Sequence, residues 1–415
     1  MFSDRNALRV ALARFVSRTG AEAAFFVGIW GKVAYEFDGT AGEIALVIGA
    51  LGISGLVGSA AAGTLVDRYD PRRVLLGAEI IFVPAALSLL LASSLPMLIV
   101  LSAVLGLVSA PINTAIASFP PFLTEDPERL SKMNSLVETS GMAALITGTA
   151  IGGALAKWVS IDAIFVFDAV TSIVAMGIIW GVRLVGDKPD EVPIERNSMR
   201  ELREGIRFSF ANHRLRFYLL AGASVWTMFG LFSALEPLFF RDILDEPPET
   251  IGFVNTIFGI GLVGGTWLVA RLPRAARSAR AVLVLVALNG LGAILYIGTS
   301  RLPVVIAGGF VWAVMIGVFV PIVRTMLHVN SPRPMVGRVM SVSQMLGELG
   351  KLGPLTAAPI LAALFGIQQT LAGGGVILAI AALAFWKVAR RLDATRTVPV
   401  DSLEEAIIAP HVGEL

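Results

Sequence analysis

Residues 63–73 read GTLVDRYDPRR and separate two long apolar segments, Ile44–Val66 and Val74–Ala92. Gly63 has no side chain beyond hydrogen, so two helices can approach closely at this point. Asp67 stands where the first helix should end, and its carboxylate can pair with an arginine or cap a neighbouring helix. The stretch therefore predicts a tight, positively charged loop between two membrane spans, with its basic residues at Arg68, Arg72 and Arg73.

The rest of the chain repeats this alternation of apolar segments and short polar loops. Of 415 residues, 55% are hydrophobic and 15% are charged, and the mean hydropathy is +0.77. A soluble domain carries about 25% charged residues, so much of this surface must face lipid. The composition excludes a disordered, collagen-like or nucleic-acid-binding chain. Each membrane span needs about 20 apolar residues, and the qualifying segments are Leu8–Ala34, Ile44–Val66, Val74–Ala92, Met97–Phe119, Leu136–Trp158, Ala163–Leu184, Phe217–Phe240, Ile251–Ala270, Ala281–Thr299, Pro303–Leu327, Val339–Phe365 and Ile367–Ala389.

The basic residues predict the orientation of these twelve spans. With a cytoplasmic N-terminus, 27 of the 33 lysines and arginines lie on the cytoplasmic side, and four lie outside. The other two, Arg324 and Lys351, fall within spans. Cytoplasmic loops of membrane proteins carry such an excess of positive charge. We therefore expect a multi-pass protein of the plasma (inner) membrane with both termini in the cytoplasm.

A long polar break after the sixth span divides the chain into two halves. Within the break, residues 198–201 have the sequence pattern of a capping box, which marks the start of a helix. Apolar residues then recur every four positions. This pattern predicts an amphipathic helix on the membrane surface. Duplicated six-span halves are typical of secondary transporters. The predicted domains are an N-terminal six-helix bundle at 1–184, a cytoplasmic linker at 185–215, a C-terminal six-helix bundle at 216–391 and a cytoplasmic tail at 392–415.

The loop at 63–73 resembles the loop between the second and third helices of the major facilitator superfamily. In that family the loop acts as a latch between the two halves, which implies a gating motif of Gly63, Asp67, Arg68, Arg72 and Arg73. Four other stretches resemble the drug-exporter branch that includes macrolide-efflux proteins and the enterobactin exporter. They are NSL at 134–136, FDAVTS at 167–172, LREGIRF at 202–208 and GRVMS at 337–341. The resemblance implies an all-α membrane fold of twelve helices in two six-helix bundles.

Residues 148–153, GTAIGG, resemble the antiporter motif of exporters. Thr149 stands where that motif has a proline. Small residues also permit ordinary close packing between helices. Both interpretations stay open at this point.

Three acids within the spans are candidates for proton coupling, because charged residues inside a membrane are costly and are functional candidates by default. Glu22 lies midway along the first span, on one helix face with Arg14 and Arg18. It either titrates in a cavity or forms a structural pair with Arg18. Glu138 in the fifth span and Asp168 in the sixth have structural alternatives as well.

The resemblance also implies that spans one, four, seven and ten line the substrate cavity. Methionine and aromatic surfaces adapt to cargo of varied shape. The candidate cavity residues are Phe25, Phe26, Asn113, Trp226, Phe229, Met315 and Phe319, with Glu348, which Lys351 can neutralise from three positions away.

Taken together, the sequence predicts a proton-coupled exporter of amphipathic small molecules and not an enzyme. The chain has no cysteine, three histidines and no Walker loop or catalytic motif, so we expect no catalytic residue, no metal and no cofactor beyond the proton gradient. The expected partners are a small-molecule substrate and the lipid bilayer, without nucleic acid, for a monomer. A siderophore or lysolipid exporter and an importer or uniporter remain as alternatives.

Overall fold

The computed structural model describes residues 5–124, 126–182, 198–273, 276–332 and 335–394. Within these ranges the chain forms fourteen α-helices and no strand. Three π-helical segments, at Ala24–Ile29, Lys32–Glu36 and Phe239–Ile243, follow α1 and α8. The α-helices are α1 Arg5–Ala23, α2 Ala41–Arg68, α3 Pro71–Ser88, α4 Leu95–Ser118, α5 Pro127–Trp158, α6 Asp162–Trp180, α7 Ser198–Ala211, α8 His213–Leu238, α9 Pro248–Leu268, α10 Ala279–Ile297, α11 Leu302–Val329, α12 Val336–Phe365, α13 Ile367–Ala384 and α14 Trp386–Ala394.

Twelve of the helices coincide with the twelve predicted spans, so the predicted all-α membrane fold is confirmed. Ten helices in the described part of the chain are long and apolar enough to cross a membrane. The other two spans, α1 and α12, carry several charged residues along their length. The short helix α7 is the predicted amphipathic linker helix. The predicted end of the last span was wrong: α13 stops at Ala384, and a separate, basic amphipathic helix, α14, follows it.

Side-chain caps set the start of several helices. The Thr40 hydroxyl accepts a hydrogen bond from the Glu43 amide, and the Glu43 carboxylate accepts one from the Thr40 amide at 2.8 Å. This capping box satisfies two amides that would otherwise lack partners at the start of α2. At the start of α3 the Asp70 carboxylate alone provides the cap, accepting a hydrogen bond from the Arg73 amide at 2.8 Å, and Pro71 occupies the first turn. The loop of residues 63–73 therefore ends in a helix start that its own sequence specifies.

Two compact units make up the described residues. The first contains Met1–Ile194, Phe232–Gly259 and Leu355–Ile367. Within it, α1 packs on α5 and α6, α2 packs on α4, and α3 packs on α4 and α6. The second contains Glu195–Leu231, Ile260–Pro354 and Gln368–Leu415, and α10 packs there on α11 and α14.

Candidate functional site

A cavity of about 370 Å³ lies within the first unit, among α1, α2, α3, α4, α6 and the π-helical segment after α1. Its wall combines charged and polar side chains with rings and aliphatic groups. Such a mixture is typical of small-molecule sites, which are mostly apolar with a few polar groups that fix orientation. The lining residues are Arg14, Ser17, Arg18, Ala21, Glu22, Ala24, Phe25, Phe26, Ile29, Leu51, Phe82, Leu105, Ser109, Ile112, Asn113 and Asp168.

Two arginines and a glutamate of α1 form the charged wall of this cavity. Glu22 is 6% exposed and pairs with Arg18 at 2.5 Å, one helical turn away. Arg14 donates a hydrogen bond to the Asn113 amide oxygen of α4 at 2.7 Å. The carboxylates of Glu22 and Glu138 both lie within electrostatic reach of Arg14. The predicted pairing of Glu22 with Arg18 is therefore present, and it lies on a cavity wall.

The remaining predicted acids lie in three different settings. Glu138 is exposed on α5. Glu348 accepts a hydrogen bond from Lys351 at 2.8 Å, as its spacing on α12 predicts. Asp168 of α6 is buried, with 1% of its surface exposed, and lines the cavity. Glu138 and Asp168 thus differ in burial within the first unit, and Glu348 lies in the second unit.

Glu79 of α3 is a buried acid that the sequence analysis missed. It is 1% exposed, and its Oε1 accepts a hydrogen bond from the Ser17 hydroxyl at 3.0 Å. It also lies within electrostatic reach of Asp168. The signal was a single acid within the apolar segment Val74–Ala92. Its importance depends on its contacts with Ser17 of α1 and its proximity to Asp168 of α6, and the spacing of residues along the sequence does not reveal either.

Aromatic rings form the apolar end of the cavity. Phe25 and Phe26 meet edge to face with their centroids 4.9 Å apart, and both rings contact Trp30. All three residues lie in or directly after the π-helical segment Ala24–Ile29. A planar apolar group of a substrate can stack or pack against such rings.

The predicted aromatic residues of the C-terminal half lie in the second unit. Trp226 and Phe229 of α8 have centroids 5.0 Å apart, and Phe229 contacts Trp312 at 5.9 Å. The Lys351 ammonium lies 5.0 Å from the Trp226 ring, which is a cation–π distance. Met315 is half-buried. Phe319 is 1% exposed, so its ring packs within the core of this unit.

The structure describes part of the predicted gating motif. Gly63 and the backbone of Asp67 and Arg68 lie in the last turns of α2, and the side chains of Asp67 and Arg68 lie outside the described atoms. Arg72 donates a hydrogen bond to the Trp180 carbonyl of α6 and lies over the Trp180 ring. Arg73 pairs with Asp70 at 3.0 Å. The two described arginines thus hold the loop to α3 and α6.

Helices α5 and α9 meet at a contact of small residues that we call the glycine seam, formed by Thr149, Gly153, Gly252 and Thr256. A Cβ on Gly252 would lie 2.7 Å from the Gly153 Cα and 2.7 Å from the Thr149 carbonyl oxygen. The hydroxyls of Thr149 and Thr256 lie 3.0 Å apart across the same contact. Thr149, which replaces the proline of the antiporter motif, therefore forms a hydrogen bond across the seam.

A second contact in the first unit joins the end of α8 to the segment after the first span. Arg241 donates hydrogen bonds to the carbonyl oxygens of Ala34, at 2.5 Å, and Gly39, at 3.2 Å. It also pairs with Asp38 at 2.9 Å and with Asp242 at 2.6 Å. Asp38 is largely exposed, so water screens its ion pair and the carbonyl bonds dominate. We call this contact the Arg241 clamp.

We expect Arg241→Ala to release the segment at residues 34–40. A hydrogen bond from a charged donor contributes about 1.5–3 kcal/mol, so its loss should raise local amide exchange roughly tenfold or more. Hydrogen–deuterium exchange with mass spectrometry measures this rate. Arg301→Ala, at an exposed arginine before α11, is the matched control. Equal amide-exchange rates of this segment in Arg241→Ala and Arg301→Ala would show that the Arg241 contacts do not stabilise it.

Comparisons with known proteins agree with this architecture. A family model described as Major Facilitator Superfamily matches residues 10–354. The multidrug efflux pump Tap of Mycobacterium tuberculosis (strain ATCC 25618 / H37Rv) is 27% identical over 398 residues, which cover 91% of this chain and 90% of that protein. Macrolide efflux protein A of Enterococcus faecalis is 26% identical over 216 residues, which cover 50% of this chain and 66% of that protein.

A solved structure shows the same fold at low sequence identity. The bacterial homolog of the human lysosomal transporter Spinster, inward-facing and unoccupied, aligns with a TM-score of 0.72 and 14% identity, over 96% of this chain and 100% of that chain. The family model covers well over half of the sequence, and the helices coincide with the predicted spans. The resemblance inferred from the sequence is thereby confirmed. The chain belongs to the Major Facilitator Superfamily and is a multi-pass membrane transporter, not an enzyme.

Proposed function

We propose that this protein exports amphipathic small molecules in exchange for protons, by alternating access. The observation that carries the proposal is the cavity in the first unit, which Arg14, Arg18 and Glu22 line together with Phe25 and Phe26. A ligand with one charged and one apolar end matches this wall. The names of two relatives, a multidrug efflux pump and a macrolide efflux protein, support export as the direction.

Alternating access requires contacts that form in one state and break in another. The glycine seam and the Arg241 clamp are suited to this role, because both join short patches of residues far apart in the sequence. We propose that residues 1–184 and 216–391 are the two moving halves. We propose that the clamp lies on the outer face, as the positive-inside rule predicts. We also propose that the protein lies in the inner membrane with cytoplasmic termini and works as a monomer.

Coupling to protons requires an acid whose protonation differs between the two states. Glu22 lies on the cavity wall, and Glu138 lies within electrostatic reach of Arg14, which lines the same wall. Protonation of Glu22, whose carboxylate lies 2.5 Å from Arg18, would remove a negative charge from the cavity wall. A proton and a cationic group of the cargo would therefore compete for this charge, as exchange requires.

Glu22→Gln and Glu138→Gln test the coupling, because an amide of the same shape cannot exchange a proton. We expect at least a tenfold fall in proton-driven transport, equivalent to about 1.4 kcal/mol, with expression unchanged. The measurement uses proteoliposomes that contain a pH-sensitive dye and carry an imposed pH gradient. A panel of lipophilic cations, macrolides and siderophores is then added in turn.

Asp126→Asn is the matched control, since Asp126 is an exposed acid that pairs with Arg129 at the start of α5. This variant should transport at the wild-type rate. Wild-type transport by both single glutamine variants and by the double variant would remove Glu22 and Glu138 from the coupling mechanism. Substrate flux without proton movement in the wild type would instead favour a uniporter.

A second candidate function is the export of an anionic amphiphile, such as a siderophore or a lysolipid. The observation that favours it is the pair of arginines, Arg14 and Arg18, on one cavity wall. Arginine binds carboxylate and phosphate groups in a fixed, bidentate geometry. A competition binding experiment between a lipophilic cation and a siderophore or lysolipid separates the two candidates. An exporter of anionic amphiphiles should bind the siderophore or lysolipid more tightly, and the first candidate should bind the cation more tightly.

A further inference from the structure

We propose that Glu79 and Asp168 together hold one exchangeable proton and form a proton-carrying site inside the N-terminal helices. The proposal rests on the proton-coupled function stated above and adds a second proton-carrying group beside Glu22 and Glu138. It adds Glu79, which no sequence motif identifies, and it assigns to Asp168 a role shared with a residue 89 positions earlier in the chain.

The two acids lie together in the interior formed by α1, α3 and α6. Each is 1% exposed, and each lies within electrostatic reach of the other. Helix α1 comes so close that a Cβ on Gly20 would lie 2.7 Å from the Asp168 Oδ1. Helix α1 therefore shields the Asp168 carboxyl group on this side.

Hydrogen bonds to the pair are few. Glu79 Oε1 accepts one from Ser17 at 3.0 Å, and Ser172 adjoins the same carboxyl group. Across the described ranges of the chain, no hydrogen-bond partner reaches Glu79 Oε2 or either carboxyl oxygen of Asp168. A buried carboxylate in that condition is strongly disfavoured, whereas a protonated carboxyl group carries no net charge and is less costly to bury.

The cations nearest to the pair are held by other groups. On α1, Arg18 pairs with Glu22, and Arg14 donates to Asn113. Helix α6 contributes Asp168 to the cavity wall and helix α3 contributes the buried Glu79 behind Ser17, and among the described lining residues Arg14 and Arg18 are the only cations. Within the part of the chain that the structure describes, no lysine or arginine forms an ion pair with either acid. One acid must then stay protonated, because two close carboxylates in a low-dielectric interior cannot both ionise.

The site also has a route to the cavity. Asp168 and Ser17 both line it, and Ser17 donates to Glu79. When the proton leaves, the O–H bond of one carboxyl group breaks, the proton passes to water in the cavity, and a carboxylate remains. Bound substrate and the Arg18–Glu22 pair lie along the same wall, so the charge that remains after release acts directly on the cargo site.

Infrared difference spectroscopy of the purified full-length protein in lipid tests the shared proton. Wild type at pH 7 should show the stretch of a protonated carboxyl group, and the double variant E79Q/D168N should lack it. Each single variant should shift the band, because each acid is the other's neighbour. D126N should keep it unchanged. A wild-type band that persists in E79Q/D168N, or its absence from the wild type, would overturn the proposal.

Proton release on substrate addition, in weakly buffered solution with a pH dye, provides the second arm. We expect release by the wild type and its loss in E79Q/D168N, each measured at a substrate concentration that saturates that protein. Saturable binding also shows that the variant is folded. Undiminished release from E79Q/D168N would overturn this site while leaving proton coupling intact.

No release from the wild type, with substrate bound, would instead refute the proton-coupled function and with it the coupling role of the pair. Sodium-dependent substrate binding that E79Q/D168N abolishes would replace the proton with a metal cation and also overturn the proposal.

Discussion

Gly252→Val should nearly abolish transport. The Gly252 Cβ would lie 2.7 Å from the Gly153 Cα and 2.8 Å from the Gly153 amide nitrogen, so backbone atoms block the added side chain. Overpacking of this kind costs about 1–3 kcal/mol. Since each 1.4 kcal/mol changes a population about tenfold, the state with a closed glycine seam should become roughly 10- to 100-fold less populated. A transport cycle that passes through this state slows accordingly.

Initial transport rates in proteoliposomes measure the effect of this variant. Gly264→Val is the matched control, because Gly264 lies on the same helix and a Cβ there meets nothing within 4 Å. The chain contains no cysteine, so a disulfide between introduced cysteines at Thr149 and Thr256 reports directly on seam closure. Gly252→Val should suppress this crosslink. Equal rates for Gly252→Val and Gly264→Val would show that the seam does not need to close.

Gly20→Val should destabilise the N-terminal helices. The new Cβ would lie 2.8 Å from the Asp168 Cα and would also collide with the Thr171 hydroxyl. Because the Asp168 backbone cannot yield as a flexible side chain would, α1 and α6 must separate. A cost of about 1–3 kcal/mol corresponds to a fall of roughly 2–12 °C in the melting temperature.

Thermal unfolding of the purified protein, followed by intrinsic fluorescence, measures this difference. Gly177→Val is the matched control, since Gly177 lies on α6 and a Cβ there meets nothing within 4 Å. The control should melt close to the wild-type temperature. If Gly20→Val melts with the control, the close approach of α1 to Asp168 contributes no stability.

The sequence predicted the spans well because apolar length is a local property. A lipid environment requires about 20 consecutive apolar residues for each helix, and that requirement can be read directly along the chain. The last span was predicted to reach Ala389, whereas α13 ends at Ala384 and Trp386 begins α14. The apolar content continues across that break, so hydropathy alone did not locate it.

The candidate site was only partly predictable. Glu22, Phe25, Phe26 and Asn113 were selected on separate grounds and line one cavity. Glu79 was not selected, because its significance arises from contacts with Ser17 of α1 and from its proximity to Asp168 of α6. Such contacts join residues far apart in the sequence, and their proximity in space cannot be read from a single sequence before its fold is known.

The π-helical segment after α1 has a consequence for how the first span can move. In an α-helix each residue advances the chain by about 100° around the axis, and a π-helical turn accommodates one residue more. Conversion of Ala24–Ile29 to an α-helix would therefore turn the following part of the span, from Trp30 to Tyr35, by about 100° relative to α1. No tilt of the helix is needed. The first span can therefore twist between Glu22, which lines the cavity, and Ala34, which the Arg241 clamp holds. One end of the span can rotate in this way while the other end stays in place.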